Sequence, residues 1–442
     1  MSAAPISHIS QELVDKIIDD LAGSVEGIRF YRSLCLSRCS LVCKSFLPRS
    51  QYHIYRRIKI ESEGDFMHEF TIKRCQGLCR ILTQTPRIAT YVRELHLDIQ
   101  PDDKIGLHET PSFMRAINQI CQAHHPLDKL TLGGFRRSQL RDPQGFLDAF
   151  TRPFISPFIT SLYIQVIRNA PIRMIQECVN LSDLTLTAVD LECDSRPNPS
   201  RQYVPRPRLR SLTYRLSHGA IEKLIGKGFT YHPIHLSILR ALTIYTDEIE
   251  DIMCAQSIIR ATNSLEELYL KSEGNKSFPP DYTRKHMSLE GHINLKKTNL
   301  RILHANVIFG PSVDERLSGI TSILKTVPAV NVLQSFHLSV YVGFAANVGP
   351  EGLLDANWKS IAEQIRKIAS GKTLAFHILF HFLDNENTST NESRQKRRME
   401  IAHSLCVNQL HRLVGELLRI LDPPITLSTD INILYHDASD TY

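Results

Sequence analysis

The chain has 442 residues and a formal net charge of +6 at neutral pH, with 42% hydrophobic and 22% charged residues. This ordinary globular composition excludes a collagen-like, coiled-coil or wholly disordered chain. The charge excess is small for a nucleic-acid protein, and no apolar run approaches the roughly 18 residues needed to span a bilayer. We therefore expect neither a nucleic-acid partner nor a membrane.

The number of cysteines indicates in which cellular compartment the protein is expected. The ten cysteines are too sparse for a disulfide scaffold. No basic segment followed by an apolar segment opens the chain, so no secretory signal is visible. We interpret the cysteines as reduced thiols and expect a cytoplasmic or nuclear protein.

The first 60 residues predict a small domain of three helices. Ser10 suits the N-cap of a first helix, whose apolar face carries Leu13, Ile17 and Leu21 at four-residue spacing. A second helix is expected to end at Pro48, and its apolar side carries Cys35, Cys39, Val42, Cys43 and Phe46. Tyrosines 52 and 55 indicate a short third helix. So small a bundle buries little core, and it needs a partner or the rest of the chain.

Two segments of this domain, Ile9–Ile18 and Cys39–Pro48, together resemble the F-box, and most closely the fungal F-box-like proteins. Ile9-Ser10 stands where the family has Leu-Pro, and Phe46 stands where tryptophan is usual. The resemblance implies docking on a Skp-type adaptor, and through it on a cullin–RING ubiquitin ligase. The positions that it assigns to adaptor binding are Ile9, Leu13, Ile17, Leu41, Val42, Phe46 and Pro48. The alternative for each is core packing of the bundle.

A short pattern recurs after the helices: an apolar residue, two variable residues, a leucine, a variable residue and an apolar residue. Its first copy is Val92–Leu97, and its central positions are 95, 130, 162, 184, 212, 242, 268, 303 and 336. The alternation within each copy predicts a short strand with one buried face. Between copies, apolar residues recur at three- and four-residue steps, which predicts helices with one apolar stripe. The stripes are Phe113, Ile117, Ile120 and Cys121; Ile249, Ile252, Met253 and Ile259; and Leu354, Trp358, Ile361, Ile365 and Ile368.

A strand and helix of this size cannot cover their own apolar faces, so neighbouring copies must stack, and right-handed crossovers make the strands parallel. Over about residues 90–340 the pattern resembles the leucine-rich repeat family. We assign residues 61–345 to this solenoid, and the fold class is α/β with parallel strands and outer helices. The family's asparagine ladder is missing, which favours an irregular solenoid; its positions hold Gln100, Phe135, Ile167, Val189, Ser217, Asp247 and Glu273. The alternative is a doubly wound sheet, although no glycine-rich phosphate turn follows any strand.

Residues 346–442 depart from the pattern and fit a terminal segment that covers the end of the array. Leu374–Phe380 predicts a strand, a long helix is expected over residues 394–421, and Ile431–Leu434 predicts a last strand.

The sequence carries no catalytic motif, and we expect a protein that is not an enzyme and has no cofactor. Cys35, Cys39 and Cys43 lack the usual zinc spacing, and buried thiols explain them better. The F-box resemblance implies the substrate-recognition subunit of an SCF-type ubiquitin ligase, with an unidentified protein target on the repeats. The alternative is a stand-alone protein-binding scaffold whose N-terminal helices only cap the solenoid. Strand positions such as Arg93, Glu94, Asp128 and Lys129 mix both charge signs, so they favour no ligand class.

Overall fold

The computed structural model describes residues 10–24, 29–60, 67–99, 106–123, 127–192, 205–226, 233–246, 248–272, 289–309, 313–328, 330–343, 357–370, 372–384, 411–421 and 425–435. The chain divides into two compact units. Unit one comprises Met1–Pro207 with Gly228–Ile234, and unit two comprises Arg208–Lys227 with His235–Tyr442. Each unit is built from parallel strands and helices, which confirms the predicted α/β class.

Unit one begins with three helices. They are α1 (Gln11–Ser24), α2 (Arg29–Val42) and α3 (Leu47–Tyr55). The Ser10 hydroxyl accepts a hydrogen bond from the Leu13 amide at 3.4 Å, as its capping role predicts. The prediction that Pro48 ends the second helix is wrong. Pro48 lies in the first turn of α3, where its missing amide hydrogen has no partner to lose.

Five strands of unit one pair in parallel and follow chain order: β1 (Arg57–Ile60), β2 (Glu94–Ile99), β3 (Lys129–Gln139), β4 (Ser161–Arg168) and β6 (Asp183–Thr187). A separate short pair joins β5 (Ala170–Pro171) to β7 (Leu191–Glu192).

Unit two also contains parallel strands in chain order. They are β8 (Ser211–Arg215), β9 (Ala241–Tyr245), β10 (Glu267–Lys271), β11 (Ile302–Phe309), β12 (Ser335–Gly343), β13 (Leu374–Asp384) and β14 (Ile425–Tyr435). A doubly wound sheet reverses its strand order at a switch point, and neither unit does so. The doubly wound alternative is therefore wrong.

The strand register follows the repeat pattern. In unit one Leu95 pairs with Leu130, and Leu130 pairs with Leu162. In unit two the paired central residues are Leu212, Leu242, Leu268, Leu303, Phe336, Phe376 and Leu427. The first six of these seven side chains are almost fully buried. A row of identical inward positions is what parallel strands with one apolar face require.

The helices lie between the strands and bury one stripe each. The longer ones are α4 (Met67–Gln84), α5 (Pro111–Cys121), α9 (Ile249–Ala261), α10 (Val313–Lys325) and α11 (Trp358–Ile368); the short ones are α6 (Pro143–Phe146), α7 (Ile172–Gln176) and α8 (His218–Leu224). In the predicted α5 stripe Phe113, Ile117 and Ile120 are buried and Cys121 is partly buried. The described residues of the α11 stripe are buried, and Leu354 lies outside the described residues. Met253 of α9 is 59% exposed, so its place in the predicted stripe is wrong. Residues 411–420 are helical, and the rest of the predicted last helix falls largely on residues 394–410, outside the described ranges.

Left-handed residues lie within one strand, β4, and directly after two others, β6 and β8. Val166, Ala188 and Leu216 have φ values of 56°, 52° and 49°, a region in which residues other than glycine are strained. The residue that follows the last two, Val189 or Ser217, is buried, and it occupies one of the ladder positions compared in the sequence analysis. The chain therefore turns each of these corners without an asparagine at the predicted position.

Candidate functional site

The N-terminal helices have a small core of their own. Ile18, Ala22 and Leu36 are fully buried, and Phe46 and Ile54 pack against them as partly buried side chains. Ile18 and Ala22 lie four residues apart on α1, so one face of that helix supplies the core. The side chains on the other faces of α1 are not needed for this core.

Five large apolar side chains among the described residues of this bundle are exposed; Leu34 of α2 is the least exposed of them, at 36%. Leu13 and Ile17 of α1 are 50% and 45% exposed, and Leu41 and Val42 of α2 are 84% and 57% exposed. We call these four residues the apolar patch. A single exposed leucine is ordinary on a protein surface, but several on one small domain are typical of an interaction site.

A hydrogen bond shows that the two halves of the patch lie at the same end of the bundle. The Gln11 side-chain amide donates to the Ser45 main-chain carbonyl at 3.0 Å. Gln11 begins α1, and Ser45 follows closely on the end of α2. Leu13 and Val42 are within three residues of the bonded groups, so the contact brings the start of α1 beside the end of α2.

An ion-pair network supports the bundle away from the patch. Arg49 Nε and Nη2 of α3 each lie 2.6 Å from an Asp19 carboxylate oxygen of α1, and His53 Nε2 lies 2.7 Å from Oδ1. The hydrogen bond from Arg49 is the largest influence on Asp19, and it lowers the pKa of this carboxyl from 3.8 to about 2. Asp19 is therefore fully ionised at neutral pH, and the network joins α1 to α3.

The remaining predicted adaptor-binding residues have different placements. Phe46 is partly buried against the bundle core, so the core-packing alternative describes its contacts. Pro48 is exposed at the start of α3. Ile9 lies outside the described residues. Of the seven predicted positions, the structure thus presents the four patch residues and Pro48 at the surface.

A second surface lies on unit two, on the face of the strands that points away from the buried leucines. Four aromatic rings stack there on neighbouring strands: Tyr269, His304, His337 and His377 have centroid separations of 4.3, 4.1 and 4.4 Å in turn. Each pair is also a register pair of adjacent parallel strands. We call His304, His337, His377 and the nearby His381 the histidine ladder. The His381 ring stacks on Tyr341 at 4.4 Å.

The rings of the ladder are partly buried, and burial lowers the pKa values of three of its imidazoles. Burial, with the neighbouring His337, Lys271 and His377, lowers the pKa of His304 from 6.5 to about 4. Burial also lowers the pKa of His337, and His377 adds to the effect; burial lowers the pKa of His381 as well. The imidazoles of these three residues are therefore neutral at physiological pH.

The sequence interpretation missed this ladder, although a signal was present. In each copy of the repeat the residue between the two inward leucine-type positions points outward, and copies near the end of the array hold Tyr269, His304 and His337 at this place. Aligning the outward positions of successive copies would have found the row. Glu94, one of the mixed-charge positions named in the sequence analysis, is engaged in an ion pair with Arg57 at 2.6 Å. In a later copy, Glu266 contacts Arg240 at 3.8 Å.

Neither surface contains an arrangement for metal binding: among the residues that the structure describes, no group of three or more His, Cys, Asp or Glu side chains could hold a metal ion. Within the same part of the chain, no helix has the length and apolarity to cross a membrane. A scan against protein-family models finds no match to this chain, and a search of curated proteins finds none either.

Proposed function

We propose that this protein is the substrate-recognition subunit of an SCF-type cullin–RING ubiquitin ligase. In this proposal the N-terminal helices form an F-box that docks on a Skp-type adaptor. The strands and outer helices form an irregular leucine-rich-repeat-like solenoid, and its repeat surface binds the target protein. The observation that carries the proposal is the apolar patch, which stays exposed although the bundle has a separate core.

The patch has the properties of a docking surface for another protein. Covering exposed apolar area gains about 25 cal/mol per Å², and a few large side chains near the centre of an interface carry most of its affinity. Leu13 and Ile17 are four residues apart on one face of α1, the spacing at which a helix presents anchors to a groove. An adaptor with an apolar groove would therefore cover them favourably.

The repeats suit the role of target binding. In parallel strands that pair in register, the outward side chains of successive copies lie side by side. The stacked rings of unit two are an example. An extended surface of this kind can hold a protein segment without catalytic groups. In a cullin–RING ligase, the transfer of ubiquitin is the task of other subunits.

One observation favours the alternative, a stand-alone scaffold whose N-terminal helices only cap the solenoid. The chain passes from α3 directly into β1, which pairs with β2, and Arg57 of β1 forms a 2.6 Å ion pair with Glu94 of β2. The helices are thus joined to the first strands, as a cap would be. This alternative predicts no affinity for an adaptor.

Adaptor binding by the full chain tests the proposal. Leu13→Asp with Leu41→Asp places charge in the patch while the core residue Ile18 is untouched, so folding is expected to persist. The variant should lose at least about tenfold in affinity for a purified Skp-type adaptor, because each apolar anchor contributes on the order of 1–2 kcal/mol. Val330→Asp is the matched control, because Val330 is a 94% exposed valine of unit two. Wild-type protein that does not bind the adaptor would refute the proposal, as would equal binding by the patch variant.

A further inference from the structure

The histidine ladder offers ring edges and not ring faces. His304 is stacked on both sides, by Tyr269 at 4.3 Å and by His337 at 4.1 Å, and His337 is stacked on both sides as well. A partner therefore cannot insert between the rings. It can reach only the nitrogen-bearing edges, which run in a row across β11, β12 and β13.

Some of these edges lack a hydrogen-bond partner. Among the described residues, His304 has ring contacts but no hydrogen bond. His381 Nδ1 also lacks a partner, but it is buried and so is closed to a ligand. His337 Nε2 lies 3.2 Å from Ser335 Oγ, and His377 Nδ1 contacts Ser428 Oγ, so these rings still have one nitrogen available. Neutral imidazole has one donor and one acceptor, and its protonated form has two donors.

The charges around the ladder are few, and protonation would make them predominantly positive. On the described outward positions of β8–β14 the cations are Arg215 and Lys271, both near the Tyr245 ring at 5.4 and 5.9 Å. The anions are Glu267, which accepts a hydrogen bond from Tyr269 Oη at 2.9 Å, and Asp430 at the far strand. With neutral histidines the two signs balance. Each proton added to the ladder leaves one positive charge uncompensated.

From this geometry we infer that the histidine ladder is a binding site for an acidic polypeptide segment, whose carboxylates accept hydrogen bonds from the row of imidazole edges, and that binding is coupled to protonation of the ladder. The inference deepens the proposed function, because it names the chemistry of the target. The preferred ligand is an acidic protein segment and not a nucleic acid.

The same features argue against single-stranded RNA. Proteins that bind single strands stack bases on free aromatic faces and follow the backbone with a basic groove. Here the faces of His304 and His337 are covered by neighbouring rings, and only Arg215 and Lys271 are permanent cations on the described outward positions. A short row of carboxylates fits this surface better than a phosphate backbone does.

Proton coupling follows from the close stacking. Two charged imidazoles 4.1 Å apart repel each other, so the free ladder resists protonation of adjacent rings. A bound carboxylate beside each ring offsets this repulsion and stabilises the charged form. The complex therefore takes up protons, and linkage requires that affinity increase as pH decreases.

The test uses a short fluorescent polyaspartate peptide and the full chain. Its affinity is expected to increase at least about tenfold between about pH 7 and about pH 5, because a bound carboxylate raises the ring pKa from the low value of the free ladder while aspartate stays largely ionised. His304→Asn with His337→Asn and His377→Asn should remove this pH dependence, because asparagine stacks in parallel strands and carries no charge. His411→Asn, at an exposed histidine of residues 411–420, is the control and should behave like wild type.

Two further measurements keep the result decisive. If the triple variant does not fold, His337→Asn alone should reduce proton uptake on binding by about one, because this ring lies between two others. A single-stranded RNA of equal charge should bind more weakly than polyaspartate at every pH. Affinity that is independent of pH, unchanged by the ladder substitutions or higher for RNA would overturn the inference. Leu13→Asp with Leu41→Asp should leave peptide binding unchanged, so failure of the ladder site and failure of adaptor docking are distinguishable.

Discussion

Arg49 holds Asp19 with two parallel hydrogen bonds, Nε to Oδ1 and Nη2 to Oδ2, each 2.6 Å long. The fork of the guanidinium matches the two carboxylate oxygens, and this bidentate geometry is the strongest form of the pair. Since Asp19 belongs to α1 and Arg49 to α3, the contact aligns two helices whose shared core is small.

Arg49→Met should raise the pKa of Asp19 from about 2 towards 3.8, because the hydrogen bond from Arg49 is the main cause of the lowered value. A lowered carboxyl pKa stabilises the fold above pH 3.8, and this contribution disappears as pH falls through about 2. Both side chains are over a third exposed, so the loss at neutral pH should be at most about 1 kcal/mol. NMR titration of Asp19 and amide exchange in α1 measure the two effects. An Asp19 that titrates near 4 in the wild type would contradict the prediction.

Ile17→Ala and Ile18→Ala are neighbouring substitutions that should have opposite consequences. Ile18 is fully buried, so truncation leaves a cavity and should cost about 2–4 kcal/mol. Ile17 is 45% exposed, so its truncation should change stability by less than about 1 kcal/mol. It should nevertheless weaken adaptor binding. Amide exchange in α1 and adaptor titration separate the two, and equal destabilisation by both variants would show that Ile17 belongs to the core.

Asp251 of α9 joins two copies of the repeat in unit two. Its fully buried carboxylate accepts hydrogen bonds from the Leu216 amide at 2.6 Å and the Ser217 amide at 3.2 Å. Burial raises the pKa of Asp251 from 3.8 to about 6 although these amides oppose the change. Its contribution to stability is therefore largest below pH 3.8 and declines as pH rises through about 6.

Asp251→Ala should destabilise unit two by about 1–3 kcal/mol, because it leaves the buried Ser217 amide and the partly buried Leu216 amide without their acceptor. Asp251→Asn keeps an acceptor oxygen and removes the buried charge, so at neutral pH it should cost less than the alanine variant. Chemical unfolding followed by amide exchange at Leu216 and Ser217 provides the measurement. Equal costs for the two variants would mean that the amides find other partners.

The histidine ladder should make unit two sensitive to acid in the absence of ligand. The pKa of His304 is about 4 in the folded protein against 6.5 for the ordinary side chain, so the folded state binds fewer protons between these values. Stability should then decrease as pH falls from 6.5 towards 4, and His304→Asn should flatten this decrease. Thermal unfolding at a series of pH values tests the difference, and parallel curves for the two proteins would contradict it.

Cys43 should react faster than Cys75, Cys121 and Cys178, which follow the helical bundle. Burial raises the pKa of Cys75 to about 11 and those of Cys121 and Cys178 to about 12. A hydrogen bond from Ser45, whose Oγ lies 2.9 Å from Sγ, lowers the pKa of Cys43. Because the thiolate is the nucleophile, iodoacetamide at neutral pH should modify Cys43 well before the other three. Peptide mass spectrometry measures the order, which should vanish in denaturant.

The sequence was sufficient to predict the strand positions, because a buried face imposes the same demand on every copy. Leu95, Leu130 and Leu162 occupy one register row, as the recurrence of leucine at their positions predicts. Met253 shows where such reasoning fails. It follows the buried Ile252 by one residue, and a helix rotates about 100° per residue, so an apolar neighbour can face solvent.

The contacts that distinguish this protein depend on residues far apart in the chain. His304 and His337 stack only because their strands pair in register, and no local pattern reports that pairing. Asp251 looks like an ordinary acidic residue of a first helical turn, yet its carboxylate binds the main chain of an earlier copy. The four residues of the apolar patch are among the seven positions that the F-box resemblance assigns to adaptor binding. Which of the seven are exposed depends on the packing of the bundle core and could not be told from the sequence.

The aliphatic residues at the ladder positions affect which insertions the repeats can accept during evolution. An asparagine ladder requires a hydrogen-bond partner at a fixed separation in every copy. A buried aliphatic residue at the ladder position, such as Ile167 or Val189, requires only neighbours that fill the space around it. Spacings between central positions can then range from 22 to 35 residues without loss of register. Descendants of this chain can lengthen a single loop, and so acquire new binding specificity, while every other copy stays as it was.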